Sequence, residues 1–134
     1  MKNALLPAGW VKPRGYANGV AARGTQVFIA GQIGWDAQGH FHSSDFAAQA
    51  HQALANIVAV LEAAGGRPEH LVRLTWYLTD KREYIAALRG VGSAFRELIG
   101  DYDIAMSAVQ VVALIEDEAK VEIEATAVIP HEAH

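Results

Sequence analysis

With 134 residues, no cysteine and a formal net charge of −4, the chain reads as one domain without a disulfide framework, thiolate nucleophile or cysteine-ligated metal. A pI near 5.8 argues against a nucleic-acid partner, which demands a basic stripe. The hydrophobic fraction of 51% exceeds what one intrachain core uses, yet no apolar run approaches the roughly 20 residues that span a bilayer, so no membrane partner is expected.

Residues 1–11 carry a short apolar patch broken by Pro7, with no recognisable leader cleavage site, and a cytoplasmic protein is expected. Residues 16–22 and 26–34 read as two strands of a hairpin around Arg23-Gly24-Thr25. The second strand is nearly continuously apolar, which implies cover on both faces. Trp35-Asp36-Ala37-Gln38-Gly39 is a loop, and Ser43-Ser44-Asp45 offers N-caps for a long helix. That helix has its apolar stripe at Phe46, Ala50, Leu54, Ile57, Val58 and Leu61, and Gly65-Gly66 is its stop.

Residues 71–79 alternate, with Val72, Leu74, Trp76 and Leu78 on one face and Arg73, Thr75, Tyr77 and Thr79 on the other. A second helix carries Tyr84, Leu88, Val91, Phe95 and Leu98 as its stripe; Gly90 and Gly92 inside it each cost about 1 kcal/mol relative to Ala. Residues 105–111 and 121–127 alternate again around the turn Ile115-Glu116-Asp117-Glu118. In the last strand Glu122 and Glu124 share a face, so they are either solvated or line a site.

The order is ββαβαββ in a single domain over residues 1–134: an α+β fold with a mixed sheet and two helices on one face. Two helices leave the other sheet face bare, and an apolar face of that size implies self-association. His40 with His42, and His131 with His134, lack an acidic partner at metal-ligand spacing, so no metal site is expected.

The segments Gly31-Gln32-Ile33, Ala47-Ala48-Gln49 to Ala64-Gly65, Leu78-Thr79-Asp80, Ser107-Ala108-Val109-Gln110-Val111 and Val121-Glu122-Ile123-Glu124-Ala125 together resemble the reactive-intermediate deaminase family. Its members are also called YjgF-like or endoribonuclease L-PSP-like proteins. The resemblance covers residues 15–128 and implies a chorismate-mutase-like fold, a homotrimer and small-molecule sites in inter-subunit clefts. It also implies hydrolysis of enamines and imines to a carbonyl compound and ammonia, with no metal or organic cofactor.

By position in that motif, Glu122 is the acid that orients water, Tyr16 stands at the pocket rim, and Gly31 gives a ligand close access to the backbone. Ala30 replaces a hydroxyl residue common in the family, and Glu124 is a structural acid paired with a cation. Three further positions depart from the family pattern. Met106 stands where the family has the arginine that clamps a substrate carboxylate, Leu88 where it has an asparagine, and Ala108 where it has a cysteine.

A buried carboxylate without its partner loses roughly 3–5 kcal/mol, so short 2-imino acids fit this pocket poorly. A bulkier, more apolar substrate is expected, with Trp35 or Trp76 as a stacking surface and Arg14 as a candidate displaced cation. The alternative is a non-catalytic, small-molecule-binding member of the same fold. An RNA-cleaving role does not suit the acidic balance.

Overall fold

A computed structural model describes residues 2–131. The strands are β1 (Lys2–Leu5), β2 (Gly19–Ala22), β3 (Thr25–Ile33), β4 (Leu71–Leu78), β5 (Ala105–Gln110) and β6 (Val121–Ile129); the helices are α1 (Phe46–Ala63), α2 (Lys81–Ala86) and α3 (Leu88–Leu98). The architecture is α+β, with the helices on one face of a mixed sheet.

α1 forms where its caps and stripe allow. Asp45 stays extended and its carboxylate accepts from the Ala48 N–H at 3.0 Å. Gly65, at φ +79°, closes the other end, where the Gly65 and Gly66 N–H groups donate to the carbonyls of Glu62 and Leu61. Phe46, Ala50, Ala53, Leu54, Ile57 and Leu61 are buried against the sheet, and truncating such a leucine or isoleucine costs about 2–5 kcal/mol. Gln49, 1% exposed, donates to the carbonyls of Ser43 and Glu118 and accepts from the Lys120 N–H. It thereby fastens the approach to β6 onto the start of α1.

The main sheet runs β3-β6-β4-β5, with β4 and β5 parallel and the other pairs antiparallel. Four expectations are corrected here. The hairpin of residues 16–34 does not form, because β2 pairs with β1 in a separate two-stranded ribbon. At Gly24, φ +146°, the backbone turns so close under the end of β6 that a Cβ would lie 2.6 Å from the Ile129 carbonyl carbon. Lys2 ties the ribbon down by donating to the Leu71 carbonyl at 2.8 Å and pairing with Asp101 at 3.0 Å.

The last two strands are not neighbours either. A turn closes at Glu116–Ala119, near the expected place, but residues 111–120 cross the end of β4, and β6 inserts between β3 and β4.

The expected second helix breaks at Ala87 into α2 and α3. The break aims Val91, Ala94 and Phe95 at the core. Gly90 lets α3 approach α1, since a Cβ there would lie 2.9 Å from the Ala47 Cβ.

Burial then divides the sheet. Leu74, Trp76 and Leu78 of β4 and Val121, Ile123, Ala125 and Ala127 of β6 join the core under the helices. Arg73, Thr75 and Tyr77, with Glu122, Glu124 and Thr126, occupy the other face. β3 is covered on one side within the chain, contrary to expectation: Ile29 is buried while Phe28 is 73% exposed.

Candidate active site

The helix side of β5 carries half of the expected site. Met106 stands opposite Leu74 and Ala108 opposite Trp76 in the parallel register, so both face the helix layer. Leu88 opens α3 across from them. Gly15, at φ +79°, turns the chain so that Arg14 and Tyr16 reach the same place, and the Ala17 N–H fixes that turn by donating to the Ile104 carbonyl at 2.9 Å.

Together these residues line a cavity of about 370 Å³. Its remaining wall is dominated by the aromatic side chains of Trp76, Tyr84, Phe95 and Tyr102. Tyr84 meets Phe46 edge-on at 5.9 Å and tilts against Trp76 at 6.2 Å, while Phe95 stacks on Tyr102 at 5.2 Å. Burial pushes the Tyr84 hydroxyl above its ordinary range, so it stays protonated.

Tyr84, Val91 and Phe95 appear in the sequence as core positions of a helix stripe. Nothing in that periodicity marks them as cavity wall as well. Trp76 lines the cavity as expected, but Trp35 lies outside it, packed on Phe41 at 5.8 Å.

The remaining site candidates lie on the open face. The ladder between β3 and β6 is irregular between Ile29 and Gln32, and the interruption sets Ala30 and Gly31 beside β6. The Glu122 carboxylate fills the space that a side chain on Gly31 would take: a Cβ there would collide with Oε2 and lie 2.6 Å from Cδ. The absent side chain of Gly31 thus makes room for Glu122.

Across the ladder, Tyr77 stands directly opposite Glu122. Its hydroxyl donates to Glu124 Oε1 at 2.6 Å, so the partner of Glu124 is a phenol and not the expected cation. That bond, the charge of Glu124 and the nearby Glu122 raise the Tyr77 pKa. Alternation along β4 places Tyr77 on this face, which is the signal that could have added it to the candidates. A shallow hollow of about 440 Å³ beside it takes in Ala30 with Phe28, Arg73 and Glu124.

One chain therefore brings Tyr16, Leu88, Met106 and Arg14 together, and separately Glu122, Gly31 and Ala30, on opposite faces of a single sheet. It does not bring the two groups to each other.

Other polar clusters are locally satisfied. Asp36 accepts from the N–H groups of His40 and Gln38 and pairs with His42 at 2.6 Å. The His40 N–H bond, then the His42 ring, hold its carboxyl down at about 2. A hollow of about 610 Å³ beside residues 111–120 contains the Lys120–Glu83 pair at 2.9 Å and the fully bonded Gln49. Among the described residues no group of three His, Cys, Asp or Glu is placed to hold a metal, and no helix is long and apolar enough to cross a membrane. His134 lies outside the described residues.

Comparison with known proteins gives a consistent set of likenesses. Residues 11–129 match the family described as Endoribonuclease L-PSP. The 2-iminobutanoate/2-iminopropanoate deaminase of Salmonella typhimurium is 34% identical over 113 residues, covering 84% of this chain and 86% of that protein. Among solved structures, the Rid-family protein YyfB of Yersinia pestis superposes with a TM-score of 0.83 at 31% identity, covering 96% of this chain and 98% of that one. TdcF of Escherichia coli, solved with bound serine, matches with a TM-score of 0.70 at 33% identity over 90% of this chain and 91% of its own. The fold is the chorismate-mutase-like α+β fold of the Rid and YjgF proteins.

Proposed function

We propose, proceeding from the fact that the chain belongs to the Endoribonuclease L-PSP family, also known as the Rid or YjgF family, that it hydrolyses a reactive imine or enamine to a carbonyl compound and ammonia. The observation that carries this reading is the seating of Glu122. Its carboxylate rests over Gly31 on an uncovered sheet face, and among the described residues it has no hydrogen-bond partner. Both oxygens are thus free to accept from a water.

The chemistry asks little of the protein. An enamine first takes a proton at carbon to become an imine. Water then adds to the carbon of the protonated C=N bond, and its proton passes to Glu122. Glu122 returns that proton to the amine nitrogen, ammonia leaves, and the hydroxyl proton departs as the C=O bond forms. Positioning the water and shuttling its proton contribute roughly 10²–10⁴-fold in rate. No step uses a cofactor.

In this reading three copies assemble through the bare sheet faces, so that Glu122 of one copy closes the aromatic cavity of the next. The uncovered Phe28, Val109 and Tyr77 side of the sheet supports such a contact. The lining supports a substrate bulkier than 2-iminopropionate, because Met106, Leu88 and Ala108 offer apolar surface and no carboxylate clamp.

The test generates imines in situ with an amino-acid oxidase and follows their decay. Added protein is expected to speed decay of imines from large amino acids more than that of 2-iminopropionate. Sedimentation equilibrium is expected to give about three times the 14.4 kDa chain mass. Failure to accelerate any imine would overturn the hydrolase reading, and a mass near that of one chain would overturn the assembly.

A further inference from the structure

The aromatic cavity holds one ionised side chain, and its position is informative. Arg14 lines the cavity while remaining exposed to solvent, which places it at the rim. Among the described residues no Asp or Glu lines the cavity, and the lysine and arginine ion pairs involve Lys2, Arg67, Arg82 and Lys120 but not Arg14.

The backbone that carries it is built, not loose. Gly15 adopts φ +79°, and Ala17, two residues on, bridges to Ala105 and donates to the Ile104 carbonyl. An unpaired guanidinium held over a hollow walled by Trp76, Tyr84, Phe95 and Tyr102 complements a molecule with a flat apolar body and one anionic end. At about 370 Å³ the cavity lies at the small end of ligand sites, which run to roughly 1,000 Å³, and suits a single ring.

We propose that Arg14 is the specificity-determining cation of the site and that the ligand is an aromatic carboxylate, its ring inside the cavity and its carboxylate on the rim. Resting on the imine-hydrolase reading, this makes the substrate class aromatic 2-imino acids. The C=N carbon, next to the carboxylate, would then sit at the open mouth where Glu122 of another copy arrives. The carboxylate clamp has moved from the strand position of Met106 to the loop before Tyr16.

Phenylpyruvate, the stable keto counterpart, tests this without turnover. Its binding to wild type, Arg14→Gln and Arg14→Lys is measured by calorimetry, alongside uncharged phenylacetone and small anionic pyruvate. Arg14→Gln is expected to weaken phenylpyruvate binding by about tenfold to a hundredfold, as loss of a charge-assisted bidentate contact does, with Arg14→Lys in between. Phenylacetone should bind all three proteins equally, and pyruvate should bind wild type more weakly than phenylpyruvate does.

Equal weakening of phenylacetone by Arg14→Gln would make Arg14 a packing residue and overturn the proposal. So would absent phenylpyruvate binding, or pyruvate binding as tightly. If phenylpyruvate binds through Arg14 but no imine is hydrolysed, the proposal stands and the hydrolase reading falls. If imines are hydrolysed with Arg14 indifferent, the outcome is the reverse.

Discussion

Glu122→Gln is expected to lower imine hydrolysis by roughly 10²–10⁴-fold while leaving the fold intact, because it removes the proton acceptor and keeps the shape. The side chain stands on the uncovered face of β6, opposite Tyr77, and takes no part in the core formed by Val121, Ile123 and Ala125. With no hydrogen bond to it from any described residue, its neutralisation strands no donor in the chain. The stability change should be small, because the substitution keeps the side chain's size and removes no core contact. The measurement is kcat on an imine the wild type accepts, beside thermal unfolding of both proteins. Wild-type turnover in the variant would reduce Glu122 to a wall residue and remove the mechanism.

Gly31→Ala should lose nearly as much activity, for a geometric reason. The new Cβ would collide with Oε2 and lie 2.6 Å from Cδ and 2.8 Å from Cγ, so the carboxylate must leave its seat. A displacement of about 1 Å at a reacting group can cost on the order of 10²-fold. Backbone strain does not confuse the result, because Gly31 is not among the glycines at positive φ. Adding Glu122→Asp, one methylene shorter, removes the Oε2 and Cδ collisions and leaves only the tight Cγ contact, so it should recover part of the loss. A merely structural role for Gly31 would give no such rescue. An unimpaired Gly31→Ala would show that the carboxylate works from some other position.

Local signals carried much of this fold. The Asp45 cap, the stripe from Phe46 to Leu61 and the Gly65-Gly66 stop define α1 because each acts within a few residues. The alternation from Leu71 to Leu78 likewise assigns Trp76 to one face and Tyr77 to the other. Strand partnership was less legible. Whether β2 meets β3 or β1, and whether β5 lies beside β6, depends on contacts far apart in sequence, such as Lys2 with Leu71 and Gln49 with Lys120.

The site divides in the same way. The resemblance that singles out Glu122, Gly31, Tyr16, Leu88 and Met106 does not say which face of the sheet each occupies, and a period of two leaves the outward and inward residues of a strand equally eligible. Arg14 was legible only as a candidate cation with no assigned place, and the wall from Tyr84 to Tyr102 was hidden for another reason. Their shared cavity depends on the turn at Gly15 and the break at Ala87, both set by tertiary packing.

The central claim is that each site joins the cavity of one copy to Glu122 of another, and a subunit-mixing experiment tests it most directly. Glu122→Gln keeps the cavity and loses the acid. Gly92→Phe keeps the acid and fills the cavity, since a Cβ at Gly92 meets nothing nearer than Arg96 Nη1 at 3.6 Å and the position lines the hollow. Each variant alone should be nearly inactive. Refolded together in equal amounts, they should regain about a quarter of wild-type activity, the fraction of interfaces that pair an intact cavity with an intact acid in a closed ring. Activity no greater than that of the two variants apart would contradict the claim and place the site within a single chain.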